Sequence, residues 1–363
     1  MARDRRSHHD PAHSRTLNPM KSALLALFAA FLLPFSAPAA AQAPKPLFAA
    51  SDPIHIVIQA PLPGLIRNRG ADTVVAGTLT DPSGLALPVS LSLRGITRRS
   101  SDICDFPPLR VQFTGAPPQS SLFAGQKRLK LVTHCRNSAS FQQYLLLEYS
   151  AYRMYNLLTP HSFRVRLANI DYRDSDGRPI VSRVGYFLED LGDLAKRNGM
   201  KSTHAPERIS VADLNPADAA RYALFEHMLA NHDWSMRAGP AGKACCHNAE
   251  LIGPLAPGSV VPVPYDFDYS GFVSAPYATP PEELHISSVR QRQYRGYCAD
   301  NAQVLAVARQ MRDARPQLIA AIGQTPGLDP RAQSRAVAFL DGFFSDIASD
   351  QDVANKLLKR CIN

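Results

Sequence analysis

The 363-residue chain has no C-x-x-C pair, no G-x-S-x-G elbow and no internal repeat. The first absence argues against a zinc ribbon. The second argues against a Ser-His-Asp hydrolase. No long Lys/Arg run with interleaved aromatics occurs, so composition does not favour nucleic-acid binding. Beyond residue 43, no segment reaches the ~18 uninterrupted apolar residues that a membrane span needs. Glycine is scarce beside proline, 20 against 30. That ratio implies many rigid loops rather than an idealised helical bundle.

What is present describes a globular chain. Hydrophobic residues make up 45% and charged residues 20%, a balance that excludes wholesale disorder. The length fits one large or two modest domains. The start reads as a leader. Met20-Lys21 precedes an apolar run from Ala23 to Leu33, too short for a comfortable span, and then the small-x-small site Ala41-Gln42-Ala43. Residues 1–43 are therefore expected to be an N-terminal extension and a signal peptide (about 20–43). This implies a periplasmic or secreted protein with no stable membrane span after cleavage. Their removal takes away five Lys/Arg and two Asp, which lowers the net charge from +9 to +6. All six cysteines (Cys104, Cys135, Cys245, Cys246, Cys298 and Cys361) lie beyond the leader. An even number in an exported chain points to disulfides. The sequence leaves the connectivity open. Neighbouring strands would bring Cys104 to Cys135, and the adjacent Cys245 and Cys246 are expected to pair elsewhere, with Cys298 and Cys361.

Residues 44–52 read as a linker. Period-two runs then predict strands at 54–58, 89–93, 109–113 and 129–132. Gly and Pro separate them, as at Asp81-Pro82-Ser83-Gly84. Ser140 with Gln143 fits a capping box for a helix whose apolar residues run from Tyr144 to Leu158 and which Pro160 stops. Residues 163–172 and 180–187 predict a hairpin about Asp174-Ser175-Asp176-Gly177. Beyond residue 190 the pattern is mainly helical. Asn215-Pro216 caps a helix over 217–229. An apolar strand over 260–263 leads into Pro264–Tyr269, and helices at about 300–313, 328–346 and 350–359 close the chain. The fold class is α+β: a strand-rich part with one helix over 44–190, then a helical part over 191–363. A candidate site lies where the two meet.

Acidic and amide residues cluster at the start of the second part. The segments are Asn231-His232-Asp233-Trp234-Ser235, Cys246-His247-Asn248 and Tyr265-Asp266-Phe267-Asp268. Phosphoryl transfer needs these residue types. A carboxylate, here Asp233, orients the attacking hydroxyl. An amide oxygen and further carboxylates, here Asn248, Asp266 and Asp268, hold Mg2+ against the phosphates of ATP. Carboxylates seldom follow a buried apolar strand without a partner. Lys130 interrupts an apolar strand and Glu148 an apolar helix. As an ion pair they would compensate each other, with Lys130 on the phosphates. Arg94-Gly95-Ile96-Thr97-Arg98-Arg99 follows a strand and suits a phosphate-facing turn.

These segments, in this order, resemble the CotH-type (spore-coat protein H) kinase family over most of residues 85–275. The resemblance rests on Leu93-Arg94-Gly95-Ile96-Thr97-Arg98, on Pro160 with Phe163-Arg164-Val165-Arg166, and on Gly185-Tyr186-Phe187-Leu188-Glu189-Asp190. It rests further on Asn231, Asp233 and Trp234 with His247 and Asn248, and on Asp266-Phe267-Asp268-Tyr269-Ser270-Gly271. Tyr265 stands where the family has Trp, and Pro107-Pro108-Leu109-Arg110 where it has Pro-Lys-Lys. The resemblance implies a two-lobed, protein-kinase-like fold. It implies Asp233 as the catalytic acid residue, Lys130 and Glu148 in the lysine and helix-glutamate positions, and Arg94, Glu189 and Asp190 around the nucleotide. Asn248 and Asp266 would be metal ligands, with Asp268 close by. The implied activity moves the γ-phosphate of ATP, with Mg2+, to a Ser/Thr hydroxyl of a protein substrate. The alternatives are a catalytically inactive kinase-like envelope module and a metal-dependent phosphoesterase in which His232 and His247 would be ligands.

Overall fold

Alternating apolar residues dictate the first half of the architecture. In the computed structural model, which describes residues 43–70 and 72–363, the strand-rich part is built from seven strands. They are β1 (Ile54–Gln59), β2 (Val74–Thr80), β3 (Ala86–Leu93), β4 (Leu109–Phe113), β5 (Arg128–Val132), β6 (Val165–Arg173) and β7 (Pro179–Leu188). The expected N-terminal extension and signal peptide fall outside the described residues apart from Ala43. The strands close into a barrel in the order β1-β2-β3-β4-β5-β7-β6. Every pairing is antiparallel except the closing one, where β1 runs parallel to β6 with Ile54 opposite Ala168. Period two sends one face of each strand inward. Ile56 and Ile58, Val89 and Leu91, Leu109 and Val111, Leu129 and Leu131, and Phe187 are buried together there. Each contributes ~1.5–3 kcal/mol by leaving water.

Two features of the barrel differ from the sequence expectation. The closure was not foreseen, and neither was β2. Its Val74 faces outward, Val75 is only partly buried against the barrel core, and Leu79 is the one fully buried residue, so the strand carries almost no apolar alternation. Residues 44–52 are also no free linker. Leu47 and Phe48 are buried, and their carbonyls accept bonds from Arg166 and Arg164 at 3.4 and 3.1 Å.

Among the described residues, eight α-helices accompany the strands: α1 (Leu62–Arg67), α2 (Ala139–Leu158), α3 (Leu191–Arg197), α4 (Pro216–Leu229), α5 (Asn301–Asp313), α6 (Arg315–Gly323), α7 (Pro330–Asp346) and α8 (Asp350–Lys356). α2 is capped by Ser138, whose Oγ accepts the Phe141 N–H, rather than by Ser140. It ends where Pro160 required. The outer faces of β5, β6 and β7 pack on α2 and the helical part through a second core that includes Val132, Val165, Tyr186, Leu188, Tyr152 and Phe225. α4 is buried almost all round, as expected of a central helix. Asn215 caps it by accepting the Asp218 N–H at 3.1 Å. Where β7 crosses from β6 to β5, a side chain at Gly185 would stand 2.7 Å from the Val132 carbonyl oxygen. Only glycine fits there.

The disulfides join Cys104 to Cys135, as the strand order suggested, and Cys298 to Cys361. Cys245 and Cys246 are bonded to each other, which corrects the expectation that they pair elsewhere. Among the described residues, no helix is long and apolar enough to cross a membrane.

Candidate functional site

A two-stranded hairpin sets the site. β8 (Ala249–Ile252) and β9 (Val261–Pro264) pair antiparallel, with Ala249 opposite Pro264. Asn248 therefore precedes one strand and Tyr265-Asp266 follows the other, side by side at the same end. The Tyr265 N–H donates to the Asn248 carbonyl at 3.2 Å. Both Asn248 and Asp266 take the left-handed backbone region, at φ 48° and 66°. Non-glycine residues seldom accept that conformation, and such strain gathers at functional sites. The Tyr152 hydroxyl of α2 holds the Asp266 turn by accepting its N–H at 2.8 Å.

Asp233 comes from the loop after α4. Its Oδ2 accepts from Asn248 Nδ2 at 3.0 Å and its Oδ1 from His247 Nε2 at 2.7 Å. Its side chain stays 37% exposed, so a substrate can reach it. The hydrogen bond from His247 to Asp233 raises the imidazole pKa, with burial opposing. His232 faces elsewhere. It is buried, with Nε2 on the Gln291 carbonyl at 2.9 Å, so it does not join His247 as a ligand.

The acidic side chains meet around a residue that the chemical reading of the sequence passed over. Arg98, in the turn after β3, lies with Nη1 3.1 Å from Glu148, Nη2 2.6 Å from Asp266 and Nε 3.2 Å from Asp268. Its side chain is 9% exposed. Oxygens of the three carboxylates lie within 4.8 Å of one another. Burial raises Asp268 to about 8, and although Arg98 opposes the shift, Asp266 and Glu148 reinforce it. Tyr277 donates its hydroxyl to Asp268 at 3.0 Å. The signal for Arg98 was its place in the Arg94–Arg99 turn, where any of three arginines was eligible.

Lys130 does not pair with Glu148. Its ammonium lies 3.3 Å from Glu250 of β8 and 4.8 Å from the centre of the Tyr265 ring. The outward face of β5 aims it at the hairpin, while Glu148 on α2 faces the turn that carries Arg98. Burial lowers the Lys130 pKa, Glu250 opposes and Arg94 adds to the shift. Lys130, Arg94, Glu250, Tyr265 and Asp266 thus share one neighbourhood. Glu189 and Asp190 lie at the end of β7. The Glu189 carboxylate is buried on Arg197 at 3.0 Å and accepts the Arg164 N–H. Asp190 caps α3 through the Gly192 N–H. The Glu189 side chain is thus committed to structure, whereas the second Asp190 oxygen lies 3.4 Å from Arg128 and stays partly exposed. Asp190 also borders a cleft of about 860 Å³ together with Gln112, Phe113, Lys127 and Arg128. Arg128 and Lys130 alternate on the same face of β5, so this cleft lies next along the strand from Lys130.

Asn248 Oδ1 and Asp266 Oδ2 accept no hydrogen bond among the described residues, and Asp266 is 34% exposed. This is a hard-oxygen set of the kind that suits Mg2+ with phosphate and water completing the shell. The residues fit the ion.

No protein-family model matches the chain. No curated protein matches it. Among solved structures it is similar to a Helicobacter pylori proinflammatory kinase, CtkA, at a TM-score of 0.39 and 10% identity, over 69% of this chain and 92% of that one. A likeness of that size assigns no family.

Proposed function

We propose that the chain is a kinase-like phosphotransferase that moves the γ-phosphate of ATP to a protein Ser/Thr hydroxyl, in a two-lobed, CotH-like arrangement with the cleft between barrel and helical part. The observation that carries this reading is the meeting of Asp233, Asn248 and Asp266, which lie on separate segments and share the end of one hairpin. The expected leader and the three disulfides support action outside the cytoplasm.

Each residue has a distinct part. The exposed edge of Asp233, steadied by His247 and Asn248, accepts the proton of the acceptor hydroxyl as its oxygen attacks the γ-phosphorus. The bond from that phosphorus to the β–γ bridging oxygen breaks, and ADP leaves. Asn248 and Asp266 would hold Mg2+, which supplies charge neutralisation at the β- and γ-phosphates when bound. Lys130 and Arg94 face the same space and add positive charge there. The cleft beside Arg128 and Asp190 suits the base end of the nucleotide.

The test is label transfer from [γ-32P]ATP with Mg2+. Asp233→Ala and Asp266→Ala should each abolish it, and transfer that survives both changes rejects the assignment. One observation favours a second reading, an inactive binding module: Lys130, the cation expected on the phosphates, is bonded to Glu250. A thermal-shift series decides between them. Mg·ATP at millimolar concentration should raise Tm by mass action, and no shift favours the module.

A further inference from the structure

Arg98 is the most heavily committed cation at the site. Its three guanidinium nitrogens together reach three carboxylates: Nη1 and Nη2 meet Glu148, Nη2 also meets Asp266, and Nε lies beside Asp268. We infer that Arg98 is the positioning residue of the candidate metal site: it fills the acidic cluster so that no ion enters there, and it fixes Asp266 by Oδ1, which leaves Oδ2 with Asn248 Oδ1 for a single divalent cation. The inference rests on the phosphotransferase reading, because that reading assigns an ion to Asp266 and Asn248.

Three further observations support it. First, there is no room beside the guanidinium. The cavity bordered by Arg98, Glu148, Asp268 and Tyr277 measures about 10 Å³, about what one water needs, so a hydrated divalent ion does not fit. Second, the turn that delivers Arg98 is anchored. Cys104, a few residues on, is bonded to Cys135. Arg69 donates to the Arg99 and Cys104 carbonyls at 2.8 and 2.9 Å, and Arg136 to the Ile103 carbonyl at 2.8 Å. The guanidinium is therefore presented by a fastened loop rather than by a free tip. Third, the two Asp266 oxygens are unequal: Oδ1 is occupied by Arg98 at 2.6 Å, while Oδ2 carries no protein bond. A hydrogen bond of this kind to a ligating carboxylate orients it and tunes its affinity.

Mn2+ binding to the full chain tests this, with the free ion counted by electron paramagnetic resonance. A single ion should bind, and Asn248→Ala or Asp266→Asn should remove it. Arg98→Lys keeps the charge but cannot span three carboxylates, so ion affinity should fall about 10–100-fold. Arg98→Gln opens the cluster and should admit a second ion. The inference is overturned if the wild type binds two ions or none, if Arg98→Lys binds within about twofold of wild type, or if folded Arg98→Gln admits no further ion. Should Arg98→Gln fail to fold, Arg98→Lys decides alone. Failure of the functional reading looks different: a single Mn2+ bound as described, with no label transfer from ATP. The converse, Asp233-dependent transfer with two ions bound, sinks the inference and keeps the function.

Discussion

The barrel interior and the acidic seam beneath it are held together by opposite means. Inside the barrel, Leu, Ile, Val and Phe from seven strands touch one another, and the geometry needs only apolar residues of suitable size. At the seam, Arg98, Glu148 and Asp268 are buried just as deeply, but each depends on a specific partner of opposite charge. Removing a methyl group from the first region leaves a cavity. Removing a partner from the second leaves an uncompensated charge. A chain tolerates such a seam where chemistry requires it.

Four experiments would break or sharpen this contrast. Asp233→Asn should lower the transfer rate about 10²–10⁴-fold with unchanged urea unfolding, whereas Leu91→Ala should lower stability and leave the rate of the folded fraction alone. A matching loss of stability in Asp233→Asn would erase the distinction. Next, Glu148→Ala should destabilise by ~3–5 kcal/mol and Leu91→Ala by ~2–5 kcal/mol. The two differ in rescue: the double change Arg98→Met/Glu148→Leu should cost far less than the sum of its single changes. Additive unfolding energies would show that the pair is not coupled.

The third test is pH. His134 is buried against Phe106 and Tyr172, and burial, helped by Arg183, pushes its pKa down to about 4. The unfolded chain then binds the proton first. The stabilising contribution is complete above pH ~6.5, falls as pH drops, and levels off below about 4. The loss is of order 3 kcal/mol, and His134→Gln should flatten that part of the urea-midpoint curve. An unchanged slope would remove His134 from the account. The smallest effect belongs to Lys130 and Glu250, which are about a third exposed. Glu250→Gln should change stability by no more than ~1 kcal/mol, read by the same unfolding curves.

The strands and helices were legible because apolar spacing reports directly on which face is buried. β3 shows this in Leu87, Val89, Leu91 and Leu93, all buried as alternation required. The convergence of Asp233, Asn248 and Asp266 was legible from residue type and order. Pairing was harder to read. Lys130 and Glu148 each interrupt an apolar run, which says that each needs a partner but not which one. Arg98 is buried between the exposed Thr97 and a half-buried Arg99, in a turn with no periodicity to mark it. The parallel join of β1 to β6 left no trace either, since period two is the same whichever strand lies alongside. Adjacent Cys245 and Cys246 look unable to serve each other until the loop around them is seen.

The join of β1 to β6 also fixes an order of events during synthesis. Ile54 is made early, yet its neighbour Ala168 appears only after the intervening strands and α2 have emerged. Until then two rows of backbone amides and carbonyls lie bare, an invitation to pair with another nascent chain. Polypeptides interrupted before Val165 should aggregate or occupy a chaperone more than those interrupted after Leu188, in which both edges are paired although the outer faces of β5, β6 and β7 still await the helical part.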